Sequence, residues 1–285
     1  MGNKIRTRSI ISLTSILFLF IYLTAVADGF IDSRSVTIEA GYDSDKSKTL
    51  YIDSELGLNT GYWIYLAAQK NYVKSVDGIN LDSRSYLAGF GNDNGAQLSY
   101  DLIYENWGNP GDIDTDALRA SISWTHGDMA LRIMPQYREF SLASVNNNET
   151  VSFSERGLGG GIYFSGINDW ILYMERYEYN FSKNPDFLND FSVIDKLTFT
   201  ATSLASGLYD HETVVGISRW LDPVDIKAQY IRDKSAIDKS LEHTIEVYLD
   251  YYFSNNLIPY LRIGRASYSG ISPLWFGNLG LQYIW

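Results

Sequence analysis

The chain has 285 residues, with 34 acidic against 23 basic side chains, a formal net charge of −11 and no cysteine. The missing thiols exclude disulfides, thiolate metal sites and a lipid-bearing cysteine. The acidity argues against nucleic acid, whose phosphates call for clustered Lys and Arg, and against a peripheral protein held on anionic lipid. Aromatic residues make up 15% and include 22 tyrosines, yet beyond residue 27 no apolar run reaches the ~18 residues of a transmembrane helix.

The first predicted element is not part of the fold. Lys4, Arg6 and Arg8 precede an almost wholly apolar stretch from Ser9 to Thr24, and Ala25-Val26-Ala27 supplies small residues at the cleavage positions. This pattern predicts a cleaved secretory signal peptide over residues 1–27. An uncleaved anchor is the alternative, and the Asp28-Gly29 that follows fits it less well.

From residue 28 to residue 285 the chain reads as strands. Leu98, Tyr100, Leu102 and Tyr104 alternate with Ser99, Asp101, Ile103 and Glu105. Leu118, Ala120, Ile122 and Trp124 alternate with Arg119, Ser121 and Ser123. Met129, Leu131, Ile133 and Tyr137 alternate with Arg132, Met134, Gln136 and Arg138, and Ile245, Val247, Leu249 and Tyr251 with Glu246, Tyr248 and Asp250. Successive strand side chains point to opposite faces, so each segment has one apolar and one polar face. Predicted strands begin near Arg34, Leu50, Tyr62, Asp82, Ala96, Thr115, Met129, Ser154, Trp170, Glu212, Val224, Leu241, Ile258 and Leu274. The fold class is therefore all-β, a transmembrane antiparallel up-and-down β-barrel of about 14 strands, with counts of 12 or 16 left open. Ser182 to His211 reads as a long outer loop. Its strand-like part, Val193 to Leu204, would give an odd count, which single-chain bacterial barrels avoid.

Short breaks such as Asn59-Thr60-Gly61, His126-Gly127-Asp128 and Leu221-Asp222-Pro223 carry tight-turn chemistry. They alternate with longer polar breaks such as Asp43 to Lys48, Gly108 to Asp114, Ala143 to Phe153 and Lys234 to Ser240. Short periplasmic turns and longer outer loops are the asymmetry expected of such a barrel. Trp63, Trp124, Trp170, Trp220 and Trp285 lie beside short turns, and Trp107 and Trp275 beside long loops, which predicts an aromatic girdle at the two headgroup levels.

A charge on the lipid face costs about 2–4 kcal/mol at mid-bilayer, so mid-strand charges are assigned to the lumen. Predicted pore-lining acids are Glu39, Asp53, Glu55, Asp101, Glu246 and Asp250, with Glu105 and Asp225. Predicted pore-lining bases are Arg119, Arg132, Arg138, Lys227 and Arg262. Arg119, Arg132 and Arg138 on one side and Glu39, Asp53 and Glu55 on another would give a transverse field favouring one ion sign. The same charges could instead pair across neighbouring strands and fill the interior. Two strands resist the rule. Glu175 lies on the opposite parity from Arg176 and Glu178, which a bulge would explain, and Trp220 can face lipid only if Arg219 faces in.

The last strand resembles the C-terminal insertion signal of Gram-negative outer-membrane β-barrel proteins. Leu279, Leu281, Tyr283 and Trp285 alternate and end on an aromatic residue, here Trp where Phe is commoner in that class. The resemblance implies export to the cell outer membrane and insertion by the barrel-assembly machinery, among outer-membrane lipid and lipopolysaccharide.

The expected function is a porin-like channel for passive diffusion of small polar solutes or ions, with mild cation preference. The alternatives are a non-channel barrel serving as scaffold, surface or secretion partner, and a rim-located hydrolase. For the hydrolase, Asp210-His211-Glu212 is the best candidate pair among the three histidines His126, His211 and His243, but neighbours on a strand point apart. Gly157 to Gly161 lacks the Lys and helix of a nucleotide loop. Asn92 to Gly95 and Asp112 to Asp116 lack the terminal Glu of a Ca²⁺ loop. No cofactor, metal site or nucleic-acid partner is expected.

Overall fold

A computed structural model describes residues 31–72, 82–93, 97–109, 113–143, 150–185, 208–237, 239–268 and 272–285. The expected leader 1–27 and the stretch Val193 to Leu204 lie outside these residues. Fourteen strands run in chain order: β1 (Ile31–Asp43), β2 (Lys48–Leu58), β3 (Tyr62–Tyr72), β4 (Ser83–Asn92), β5 (Leu98–Asn109), β6 (Ile113–His126) and β7 (Met129–Ala143), then β8 (Thr150–Ile167), β9 (Trp170–Phe181), β10 (Tyr209–Leu221), β11 (Val224–Ser235), β12 (Leu241–Tyr251), β13 (Leu257–Tyr268) and β14 (Leu274–Ile284). Each pairs antiparallel with its sequence neighbours, and β1 pairs with β14 to close the barrel. The closing register sets Ser35 opposite Ile284 and Asp43 opposite Phe276.

Facing follows from parity and register. On β6 and β7 Leu118 stands opposite Tyr137 and Trp124 opposite Leu131, all outward and exposed, as are Ile133, Leu158 and Leu279. Ile133 is 58% and Leu279 65% exposed. In water so continuous an apolar surface would far exceed the few hundred Å² of ordinary patches. Against acyl chains the same surface costs nothing. At one end the strands are joined by tight connections such as Gly127-Asp128 and Asn168-Asp169. At the other end the apolar belt stops at a polar residue on nearly every strand. The first such outward residues are Lys48, Lys70, Arg84, Asn106, Asp116, Glu139, Arg156, Arg176, Thr213, Arg232, His243 and Arg265, on β2 through β13 in order. The connections at this loop end vary in length. Asp43 to Lys48 is a tight turn rather than a long loop, and the longest connection joins β9 to β10.

The structure corrects three assignments of facing. Trp63 points inward, since a Cβ built at Gly91 on the neighbouring strand would lie 2.5 Å from its ring. Trp107 is inward and 4% exposed. Trp220 shares the inward parity of its register partner Asp225, with its ring 4.5 Å from that of Tyr252, while Arg219 points outward over the Trp170 ring at 4.9 Å. The outward girdle therefore keeps Trp124, Trp170, Trp275 and Trp285 only. Nearness to a strand end sets an indole's height, but parity sets its side of the wall. Arg176 is the remaining exception to the rule that mid-strand charges face the lumen. No bulge separates it from Glu175: the β8–β9 register shifts only between Phe164 and Ile167, beside the turn. Glu175 faces in, and Arg176 faces out beside Glu178.

Gly157, Gly159 and Gly161 lie on the inward face of β8, and the bare backbone of Gly157 and Gly159 seats rings from β9. A Cβ at Gly159 would meet the Tyr177 ring at 2.5 Å, and one at Gly157 the Tyr179 ring at 2.7 Å. Overpacking of this kind costs about 1–3 kcal/mol. Gly159→Val is expected to lower the urea midpoint of the detergent-folded barrel, followed by tryptophan fluorescence. The loss is expected to shrink when Tyr177→Ala is added.

Candidate functional site

The candidate site is the barrel interior. Register places Arg119, Arg132, Arg138, Arg262, Lys227, Glu39, Asp53, Glu55, Asp101, Glu105, Asp225, Glu246 and Asp250 on inward positions. Few of the charges among them stand alone. Arg119 Nη2 reaches Glu105 Oε2 at 2.9 Å, and Ser85 Oγ donates to the other oxygen of the same carboxylate. Arg132 Nη2 reaches Asp101 Oδ2 at 2.9 Å, and Ser121 also contacts that oxygen. The arginines of β6 and β7 therefore do not form the free positive wall that spacing suggested. Strand pairing puts Glu105 on β5 beside Arg119 and Glu155 on β8 beside Arg138, because side chains on neighbouring strands stand only ~5 Å apart, whereas Arg132 reaches across β6, where it also meets Ser121 Oγ, to Asp101 on β5.

On the other side, Glu246 is fully buried and accepts from Gln229 Nε2 at 2.7 Å, Tyr248 Oη at 2.6 Å and Arg262 Nη2 at 2.6 Å. Glu39 accepts from Tyr260 Oη and Asn278 Nδ2 at 2.7 and 2.6 Å. Lys227 sits between the Tyr173 and Tyr248 rings at 5.3 and 5.1 Å, an arrangement in which the ring faces attract the ammonium. Asp225 and Asp250 face each other across β11 and β12. Glu55 is inward and exposed.

Nearer the loop end the interior becomes dry. Arg138 makes a two-point contact with Glu155, Nε to Oε1 at 2.8 Å and Nη2 to Oε2 at 2.5 Å, and Gln136 adds a third donor. The two side chains are 7% and 0% exposed. Beside them Trp107, Ile113, Phe140, Leu142, Phe153, Leu208 and Ile237 form an apolar cluster, with Phe140 and Phe153 stacked at 4.7 Å. Glu212, Asp233 and Glu242 stand in register on β10, β11 and β12. Asp233 is 2% exposed, and its Oδ1 has no hydrogen-bond partner among the described residues.

Glu155, Glu212, Asp233 and Glu242 are inward acids that the pore-lining expectation does not include, and Glu175, which the parity conflict with Arg176 leaves unassigned, joins them. Extending parity through β8 to β12 would have found them. The apolar cluster had no such signal, because its residues are inward and oily against the alternation. Asp210 turns its carboxylate to Lys234 and Lys239 at 3.6 and 3.2 Å, and His211 stands outward opposite Glu178. Asp114 and Asp116 face outward and share Asn106 Nδ2.

Removing one partner of a buried ion pair leaves an uncompensated charge and costs about 3–5 kcal/mol. Arg138→Met should therefore lower the unfolding free energy in urea by about that amount, and the double variant Arg138→Met with Glu155→Leu should recover most of it. Asp233→Asn should act in the opposite sense, raising stability by about 1 kcal/mol through relief of like charges on adjacent strands.

No protein-family model and no curated protein matches the chain. Among solved structures, the NanC porin aligns with a TM-score of 0.46 at 10% identity, over 87% of this chain and 98% of its own. A loop-deletion form of OmpT, an outer membrane protein of Vibrio cholerae, aligns at 0.49 and 11%, over 90% and 99%. OccK3 (OpdO) of Pseudomonas aeruginosa aligns at 0.46 and 10%, over 94% and 99%. The first of these is a porin and the second an outer membrane protein; the chain is itself a closed antiparallel barrel of fourteen strands.

Proposed function

We propose that the protein is an outer-membrane channel for passive diffusion of small polar solutes and ions, with a preference for cations. The observation that carries this reading is the partial exposure of inward charges at mid-barrel. The side chains of Arg119, Arg132 and Arg262 remain 35%, 33% and 28% exposed, and Glu55 is exposed outright. A filled interior would bury them, whereas a wall of fourteen strands is wider than side chains alone can fill. The preference follows from the inward inventory. Glu39, Asp53, Glu55, Asp101, Glu105, Glu155, Glu175, Glu212, Asp225, Asp233, Glu242, Glu246 and Asp250 outnumber Arg119, Arg132, Arg138, Lys227 and Arg262. An excess of one sign in a narrow aqueous path draws the opposite ion.

In this reading residues 1–27 are the cleaved leader and the loop end faces outward from the cell. Outward Leu279, Leu281, Tyr283 and Trp285 present the insertion signal. A non-channel barrel is the second reading, favoured by the Trp107–Phe140–Phe153 cluster that narrows the loop end. The rim around His211 gives a hydrolase no support, since Asp210 is engaged by two lysines.

Planar bilayers under a KCl gradient test the proposal. Step conductances with a cation-favouring reversal potential are expected. Arg119→Gln and Arg132→Gln should shift that potential further toward cations, and Glu55→Gln should shift it back. Phe153→Ser should raise unit conductance by loosening the loop-end constriction. Silence from correctly folded protein, in the Phe153→Ser variant as well, would remove the channel and leave the scaffold reading.

A further inference from the structure

The belt's polar edge is not evenly charged. On β6 and β7 it is acidic, with Asp116 and Glu139; Lys48, Lys70 and Arg84 stand singly on β2 to β4 and Arg156 on β8, and β9 to β13 carry the densest group, Arg176, Arg232, Lys234 and Arg265 together with His211 and His243. All six are outward by register, so they face the surrounding lipid and not the lumen. Arg176 stands opposite Thr213, Thr213 opposite Arg232, and Arg232 opposite His243, which makes one continuous row across four strands. The nearby acids are Glu178, held by Arg176 at 3.3 Å, and Asp210, held by Lys234 and Lys239. Arg232 is exposed and makes no hydrogen bond or ion pair among the described residues. Arg265 is exposed too, and its one contact there is with the Trp275 ring at 5.5 Å. In a chain of net charge −11, unneutralised arginines collected on an oily wall call for an external anion.

We infer that this face is a binding site for a multiply phosphorylated, multi-acyl glycolipid of the outer leaflet. The inference rests on the outer-membrane reading above. Three features of the face fit that occupant. The cations span five strands, about 19 Å at ordinary strand spacing, which is too wide for one phosphate. Below them lies exposed apolar wall, Met174, Val215, Ile245 and Ile263, on which several acyl chains can lie. Guanidinium groups bind phosphate oxygens by paired, charge-assisted hydrogen bonds, and Tyr230, whose hydroxyl lies 2.6 Å from His243 Nδ1, adds an amphipathic ring at the boundary.

The test uses the whole barrel in phosphatidylcholine nanodiscs, with fluorescent bis-phosphorylated lipid A as probe and energy transfer from the barrel's tryptophans as readout. Wild type should enrich the probe around the barrel over a fluorescent phosphatidylcholine. Arg232→Gln and Arg265→Gln should each weaken that enrichment roughly fivefold. Glu139→Gln, on the acidic arc, should not weaken it. Lipid A lacking its phosphates should lose the preference. Unchanged enrichment in the double arginine variant, or full displacement by millimolar inorganic pyrophosphate, would overturn the lipid site. A barrel that fails to enter the bilayer at all, seen as an unshifted band on unheated gels, would overturn the outer-membrane reading first and this site with it.

Discussion

A backbone in hydrocarbon has nowhere to send its N–H and C=O groups except to another part of the same chain. That single demand organises this molecule. Each strand hands its hydrogen bonds to its two neighbours, and the pairing of β1 with β14 leaves no strand as an edge. Once the wall is closed, strand geometry divides every side chain between two solvents. Leu279 at 65% exposure is therefore at home, and so is Glu246 at zero.

The interior is made habitable by two devices. One is the cross-strand charge pair, which lets Arg138 and Glu155 sit without water. Buried pairs of this kind add little net stability over an oily replacement, but they are costly to half-remove. The other is the glycine seat. Tyr177 and Tyr179 lie over bare backbone at Gly159 and Gly157, and Tyr173 likewise covers Gly216. A ring lying flat on bare backbone projects less into the interior than one standing off the strand. Where the rings are not seated this way, at Phe140 and Phe153, they stack on each other and the interior dries out.

Strand number, strand starts and the facing of charges such as Arg132 and Glu246 were legible in the sequence, because period-two alternation is local and a lipid-facing charge is expensive. What was not legible depends on neighbours. Trp63 faces in because Gly91, far along the chain, leaves room for its ring across the β3–β4 pair. Trp107 faces in because an apolar cluster drawn from several strands receives it. Arg176 escapes the mid-strand rule because the belt on β9 ends early, after Trp170, Leu172 and Met174, so that a residue central in the strand already stands at the belt's edge. The pairing of each inward arginine with an acid was beyond reach for the same reason: it is a property of register, which parity within one strand does not contain.

The seam between β1 and β14 joins Ser35 to Ile284, segments near opposite ends of the chain. Every other junction in the wall is a hairpin that can form as soon as its two strands exist. This one brings the most distant segments together, and the loop-closure cost grows only slowly with that distance. What it does impose is an order of events. A nascent sheet of thirteen strands would still carry two raw edges, intolerable in acyl chains, so the cylinder cannot be sealed before the final strand arrives. Sealing therefore waits on β14, whose two edges take up the free edges that β1 and β13 would otherwise keep.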